Sequence, residues 1–217
     1  MNKINQLLEG RFILEEAESE INGKLVVIRD FAFGTYIRGG GLPQSGGLAE
    51  MIWKETLNKV NSPKLEVNNV LIVGLGGGSI AKLVRDNWKE AKITGVDIDP
   101  VIVELGKKYM KLDRSNVDIN IEDAEKFIAK LIKDKKKFNL ICFDTYVGDT
   151  FPEKFESLSL IKQVSSILSE DGLVIFNRLY GSEDRVAALS FAKTLEKVFS
   201  SVVRVYPEAN IMFVCSN

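Results

Sequence analysis

From Val70 to its end, the chain alternates short, almost unbroken apolar runs with longer stretches whose apolar residues return every three or four positions. The runs NVLIVG, KITGVD, VDINI, FNLICFD and DGLVIFN read as strands, and so do SVVRVYP and NIMFVCS near the end. Strands without polar alternation are those covered on both faces. The intervening stretches SIAKLVRDNW, PVIVELGKKYM, EDAEKFIAKLIK, PEKFESLSLIKQVSSIL and SEDRVAALSFAKTLEKVF carry helical spacing, and Pro100 suits a first helical turn. This alternation predicts a doubly wound α/β sheet of seven strands, the last two forming an antiparallel closing pair.

The pattern before residue 62 is different. RFILEEAES and KLVVIRDF are short strand-like runs split by Asn22-Gly23, a strong hairpin turn signal, and TYIRG reads as a third strand. RGGGLPQSGG reads as a loop, and LAEMIWKETLNKV as a helix with Leu48, Ile52, Leu57 and Val60 on one side. The segment NSPKLEVNN ends that helix. The expected organisation is a small antiparallel β domain with its linking helix over 1–62 and the doubly wound domain over 63–217.

Composition narrows the chemistry. The chain has 217 residues and a formal net charge of −1, which supplies no global field for nucleic acid or an anionic membrane. It has no histidine, which removes Ser-His-Asp and Cys-His nucleophile systems and histidine metal sites. Its 2 cysteines make neither a disulfide framework nor a zinc site, and Cys142, inside an apolar run, is expected to be buried and inert. The start MNKINQLLEGRF lacks the long apolar region of a signal peptide and no run reaches membrane-spanning length, so a cytoplasmic location is expected.

The candidate chemistry lies at the carboxyl ends of the predicted strands. Gly74, Gly76 and Gly78 form G-x-G-x-G after the first strand of the larger domain. The dinucleotide pattern G-x-G-x-x-G fails because Ser79 stands in its third place. Asp97 ends the next strand, about 20 residues on, the spacing at which an acid reaches ribose hydroxyls. Alternatively Asp97 or Asp99 caps the following helix, and Asp99 before Pro100 suits that role better. Asp123, with the Ala124 backbone beside it, suits either an adenine amine or a helix N-cap. Asp144 ends the fourth strand near the topological switch point, where cofactor and substrate meet in such sheets.

Together, VLIVGLGGGSIAKLV, GVDIDPVIVELGKKYM, EDAEKFI and FNLICFDTYVGD resemble the spermidine synthase (polyamine aminopropyltransferase) family, within the class I methyltransferase fold. The likeness runs from Val70 to about Asn177, and the N-terminal meander with GLPQSGGLAEMIWKETL is similar to the family's small β domain and linker. The resemblance implies an adenosyl-sulfonium cofactor, S-adenosylmethionine or its decarboxylated form, with methylthioadenosine as the aminopropyl-transfer product and no metal. It implies cofactor contacts from Gln44, Gly74, Gly76, Gly78, Asp97, Ile98, Asp123 and Ala124, and a base or amine-orienting role for Asp144. Trp53, Tyr146 and Asp149 fall where the substrate is expected, and a small-molecule substrate such as an amine and a homodimer are implied.

Three departures bear on the substrate. The family's G-G-G-D-G-G acid falls on Gly77, its D-x-x-D ends here at Val147, and its Tyr-His-Glu reads Trp53-Lys54-Glu55. The decarboxylated cofactor ends in an ammonium that needs a carboxylate partner, whereas S-adenosylmethionine carries its own. The expectation is a spermidine synthase-like transferase with an altered polyamine site. The alternatives are an S-adenosylmethionine-dependent methyltransferase or a non-catalytic adenosyl-nucleotide binder.

Overall fold

The computed structural model of the chain describes residues 10–61 and 65–217. The expected domain boundary between 62 and 63 and the first nine residues lie outside the described residues. Four strands come first: β1 (Arg11–Ser19), β2 (Gly23–Asp30), β3 (Gly34–Gly39) and β4 (Leu42–Ser45), paired in that order as an antiparallel sheet. Helix α1 (Gly47–Val60) follows.

Then the chain alternates: β5 (Asn69–Val73), α2 (Ser79–Asn87), β6 (Lys92–Asp97), α3 (Pro100–Met110), β7 (Val117–Ile121), α4 (Ala124–Lys133), β8 (Phe138–Phe143), α5 (Leu158–Ser166), β9 (Leu168–Leu179), α6 (Arg185–Leu195), β10 (Ser201–Val205) and β11 (Asn210–Ser216). These strands form one seven-stranded sheet in the order β10-β11-β9-β8-β5-β6-β7. Pairing is parallel from β7 to β9, and β11 runs antiparallel to both β9 and β10, giving the expected closing pair.

The unbroken apolar strands are explained by two cores. Val70 and Ile72 face one core, shared with α1, α2, α3 and with Leu25, Val27 and Ile37 of the small sheet. Leu71 and Val73 face the other, shared with Phe127 of α4, Ile161 of α5 and Phe191 of α6. Successive side chains of a strand point to opposite faces, so covering both faces leaves no place for a polar residue. Cys142 and Cys215 are free, buried thiols whose burial pushes their pKa up, as expected for inert cysteines. Among the described residues, no helix is long and apolar enough to cross a membrane.

One expected loop is a strand. Gly40 and Gly41 both hold positive φ, at 57° and 86°, which closes a tight turn and lets Gly39 pair with Leu42. The strand β4 that results lies at the edge of the small sheet, where Pro43 costs no ladder bond. After β5 the chain builds β6 and β7 on one side, then returns to β8 on the other. The switch point is therefore the crevice beyond the carboxyl ends of β5 and β8.

Candidate functional site

A cleft of about 470 Å³ opens at that crevice. It is lined by Gly74 and Gly76, by the ends of β6 and β8, by the start of α4, by Gln44 of β4 and by the β1–β2 turn. The glycine turn is shaped by close packing: a Cβ at Gly74 (φ +86°) would lie 2.0 Å from the Asp144 carbonyl oxygen. Gly78 does not line the cleft. It is buried, with φ 92°, and opens α2 against Leu112, so the structure gives it a place in the turn.

The backbone of this turn has no donors to spare. Gly74 and Leu75 N–H donate to the Val96 carbonyl, and Gly78 N–H donates to Leu75. Gly76 N–H donates to Asp97 Oδ2 at 2.6 Å, and Gly77 N–H donates to Ser45 Oγ at 2.6 Å. A phosphate-binding turn works by aiming free N–H groups at an anion. Here all five are satisfied inside the protein, which argues against a dinucleotide's pyrophosphate more firmly than Ser79 does.

The two acids at the strand ends divide their work. Asp99 is the cap: its Oδ1 accepts from Val101 and Ile102 N–H, and its Oδ2 accepts from Ser19 Oγ and Asn22 Nδ2. That ties the β1–β2 turn to the larger sheet. Asp97 lines the cleft, receiving Gly76 N–H and, at 2.9 Å, Asp99 N–H. Burial pushes its carboxyl up to about 6, against the backbone donors of Asp99, Gly76 and Ile98 that pull it down. Ile98 beside it is exposed and gives the cleft an apolar wall.

At the next strand both readings of Asp123 have a place. Its Oδ1 caps α4 by accepting from Glu125 and Lys126 N–H, and its Oδ2 pairs with Lys154 Nζ at 2.5 Å. It nonetheless lines the cleft beside buried Ala124. Gln44 also lines the cleft, but its amide N–H groups go to the Gly39 and Gly148 carbonyls, clamping the loop after β8 to the small sheet.

Asp144 sits on the floor of the cleft, held from two sides. Trp53 Nε1 donates to its Oδ2 at 2.6 Å, and Asn177 Nδ2 donates to its Oδ1 at 2.8 Å. Asn210 Nδ2 in turn donates to Asn177 Oδ1 at 2.7 Å, which fixes the amide's direction. Burial raises the Asp144 pKa, and the Asn177 and Trp53 donors oppose the rise. Trp53 is 1% exposed and does not line the cleft. The structure places the Trp53 indole, expected against the substrate, on Asp144 instead. Asn177 and Asn210 had drawn no attention in the sequence. The signal was there: a lone Asn ends the apolar run VIFN. Trp53→Phe removes one donor to the charged form. The acidic limb of any rate profile governed by Asp144 then moves to higher pH, and stability falls by about 1–3 kcal/mol from the unpaired acceptor. A pH–rate series with chemical denaturation checks both, and an unmoved limb would separate Trp53 from the carboxylate.

Beyond Asp144 the acceptor side is apolar. Tyr146 lines the cleft, with its phenol oxygen accepting the Leu179 N–H at 2.7 Å, and Val147 lies beside it. Asp149 does not reach the cleft. Val147 and Thr150 pair across a tight turn with Gly148 at φ 62°, which leaves Asp149, expected at the substrate, in solvent. Lys54 is likewise exposed and away from the cleft. The charges that do line it are Glu20, Asp97, Glu122, Asp123 and Asp144 against one cation, Lys154. In a chain of net charge −1 that is a concentrated negative field, suited to a cationic ligand. Among the described residues no cluster of metal-ligating side chains is present.

The position of the family's missing acid is closed. Gly77 is buried, and a Cβ there would lie 2.7 Å from Met110 Sδ, 2.8 Å from Ile37 Cδ1 and 3.0 Å from Ser45 Cβ. On the other side, a Cβ on Gly106 would lie 2.6 Å from Gly77 Cα. An acid there would require the ends of the Met110 and Ile37 side chains to move aside.

The chain is similar to several known proteins. The eEF1A lysine and N-terminal methyltransferase homolog of Drosophila melanogaster is 28% identical over 169 residues, covering 73% of this chain and 25% of that protein. The polyamine aminopropyltransferase of Vibrio vulnificus is 28% identical over 117 residues, covering 54% of this chain and 38% of that protein. This chain therefore spans well under half the length of either relative. The crystal structure of human methyltransferase-like protein 13 in complex with SAH superposes with a TM-score of 0.63 at 25% identity, over 77% of this chain and 78% of that one. Residues 49–216 match the spermine/spermidine synthase domain, and the chain belongs to that family.

Proposed function

We propose that this chain binds S-adenosylmethionine in the cleft and transfers its methyl group to an amine, with Asp144 as the proton acceptor. The observation that carries the choice of cofactor is the closed position at Gly77. Without a carboxylate there, the terminal ammonium of the decarboxylated cofactor lacks its partner. The relatives named as methyltransferases support the same direction.

The residues present fit the adenosyl-sulfonium group. The glycine turn offers a close approach without phosphate-binding donors, the cleft is negative, and Asp97 is an acceptor at the ribose position. When bound, the cofactor supplies a methyl carbon made electrophilic by the sulfonium. Asp97 orients the ribose by accepting from its hydroxyls, and Ile98 and Ala124 wall the adenine, with Asp123 accepting from its amine. Trp53 and Asn177 hold Asp144 in one direction, so its carboxylate orients the attacking nitrogen and takes its proton. A carboxylate with a raised pKa is the better proton acceptor. Tyr146 and Val147 give the acceptor side apolar surface.

Incubation with methyl-labelled S-adenosylmethionine and amine probes tests this, using peptides with free N-termini and lysines alongside putrescine. The expected outcome is label on an amine and release of S-adenosylhomocysteine. Release of methylthioadenosine from the decarboxylated cofactor in the presence of putrescine would overturn it.

A further inference from the structure

We infer that the hydroxyl of Thr145 is a binding group for the carboxylate of the cofactor's methionyl tail, and so a determinant of carboxylated over decarboxylated cofactor. The inference rests on the adenosyl reading above. Thr145 is 8% exposed, and its Oγ1 is buried with no hydrogen-bond partner among the described residues. It lines the cleft immediately after Asp144. Buried hydroxyls are almost always paired, so an orphan on a residue that lines a cleft points to a group that arrives from outside.

The identity of that group follows from elimination among the donors. The Gly74–Gly78 N–H groups are all taken. Gln44 donates to two carbonyls, and Lys154 is paired with Asp123. The Thr145 and Tyr146 hydroxyls remain as donors, and of the two only Thr145 Oγ1 has no hydrogen-bond partner at all among the described residues. An adenosyl-sulfonium cofactor bears one anion, its tail carboxylate, and that anion needs a donor. The placement agrees. A Cβ built on Gly74 lies 3.3 Å from the Thr145 N atom, so Thr145 stands at the Gly74 side of the turn, whereas Asp97 stands at Gly76. Ribose and tail then fall on opposite sides of the turn.

The test is calorimetric titration of wild type, Thr145→Val and Thr145→Ser with S-adenosylhomocysteine and with its decarboxylated analogue, which keeps the amine and lacks the carboxylate. A hydrogen bond to a charged group predicts that Thr145→Val weakens S-adenosylhomocysteine by about tenfold or more while the decarboxylated analogue changes by less than about twofold. Thr145→Ser keeps the hydroxyl and stays near wild type. The unfolding midpoint of Thr145→Val stays level or rises, because an unpaired buried hydroxyl is replaced by an apolar isostere. Thr145→Ala gives the same ratio of affinities if the valine variant folds poorly. If wild type binds and the variant is unchanged, or weakens for both ligands alike, the Thr145 assignment is overturned and the adenosyl reading stands. If wild type binds neither ligand, both fall.

Discussion

Asp144→Asn lowers the rate of S-adenosylhomocysteine formation by about 10²–10⁴-fold, the range of a lost general base, and leaves adenosyl affinity within a few-fold of wild type. The reasoning is local. Asparagine keeps the shape of the side chain and removes the proton acceptor. It also disturbs the network beneath. Trp53 Nε1 is a fixed donor, so the new amide must turn its oxygen to Trp53 and its nitrogen to Asn177. Asn177 then has to flip, and Asn210 with it, because Asn210 Nδ2 now donates to Asn177 Oδ1. A failed flip leaves two donors facing each other and costs about 1–3 kcal/mol. Denaturation of the variant therefore has to accompany its kinetics. A folded variant with an unchanged rate would reduce Asp144 to a structural carboxylate.

The second large effect is at Asp97. Asp97→Ala removes the acceptor for two ribose hydroxyls, and two hydrogen bonds to a charged group amount to about 100-fold in affinity or more. The same change leaves Gly76 N–H and Asp99 N–H without acceptors, so some loss of stability comes with it. Asp97→Asn keeps an oxygen for the turn and separates the two effects. The carboxyl's pKa of about 6 in the fold, against 3.8 for the free group, adds a pH signature. The folded state holds more protons than the unfolded chain between those values. The stability contribution of Asp97 is therefore fully present below 3.8 and is lost as pH rises through about 6. Ligand binding runs the other way. Ribose donors favour the charged form, so adenosyl affinity grows as pH rises through about 6, and below that pH binding expels a proton. Titrations in buffers of different ionisation enthalpy read that proton directly. A flat affinity across this range, unchanged in Asp97→Asn, would remove Asp97 from the ribose site.

What could be read ahead of the fold was whatever repeats locally. Strand and helix periods, the glycine turn, and the acids at strand ends sit within a few residues of the features that explain them. The strand β4 could not be read, because its glycines signal a loop until both take positive φ and pair their neighbours across a tight turn. The partners of Asp144 lie 91 and 33 residues away in the chain, beyond any local pattern. Asp149 looked useful because it is the next acid after Asp144, and a turn at Gly148 sends it to solvent. Gly77 shows the division most clearly. The sequence reveals that an acid is missing, and only the packing of Ile37, Ser45 and Met110 around it reveals how tightly the glycine is enclosed.

The central claim is that this family member has kept the adenosyl site and taken the carboxylated cofactor. Parallel calorimetric titration of the purified chain with S-adenosylmethionine and decarboxylated S-adenosylmethionine tests it most directly. The closed position at Gly77 predicts tighter binding of S-adenosylmethionine, by about tenfold or more if one charged contact decides the difference. Tighter binding of the decarboxylated form would contradict the account.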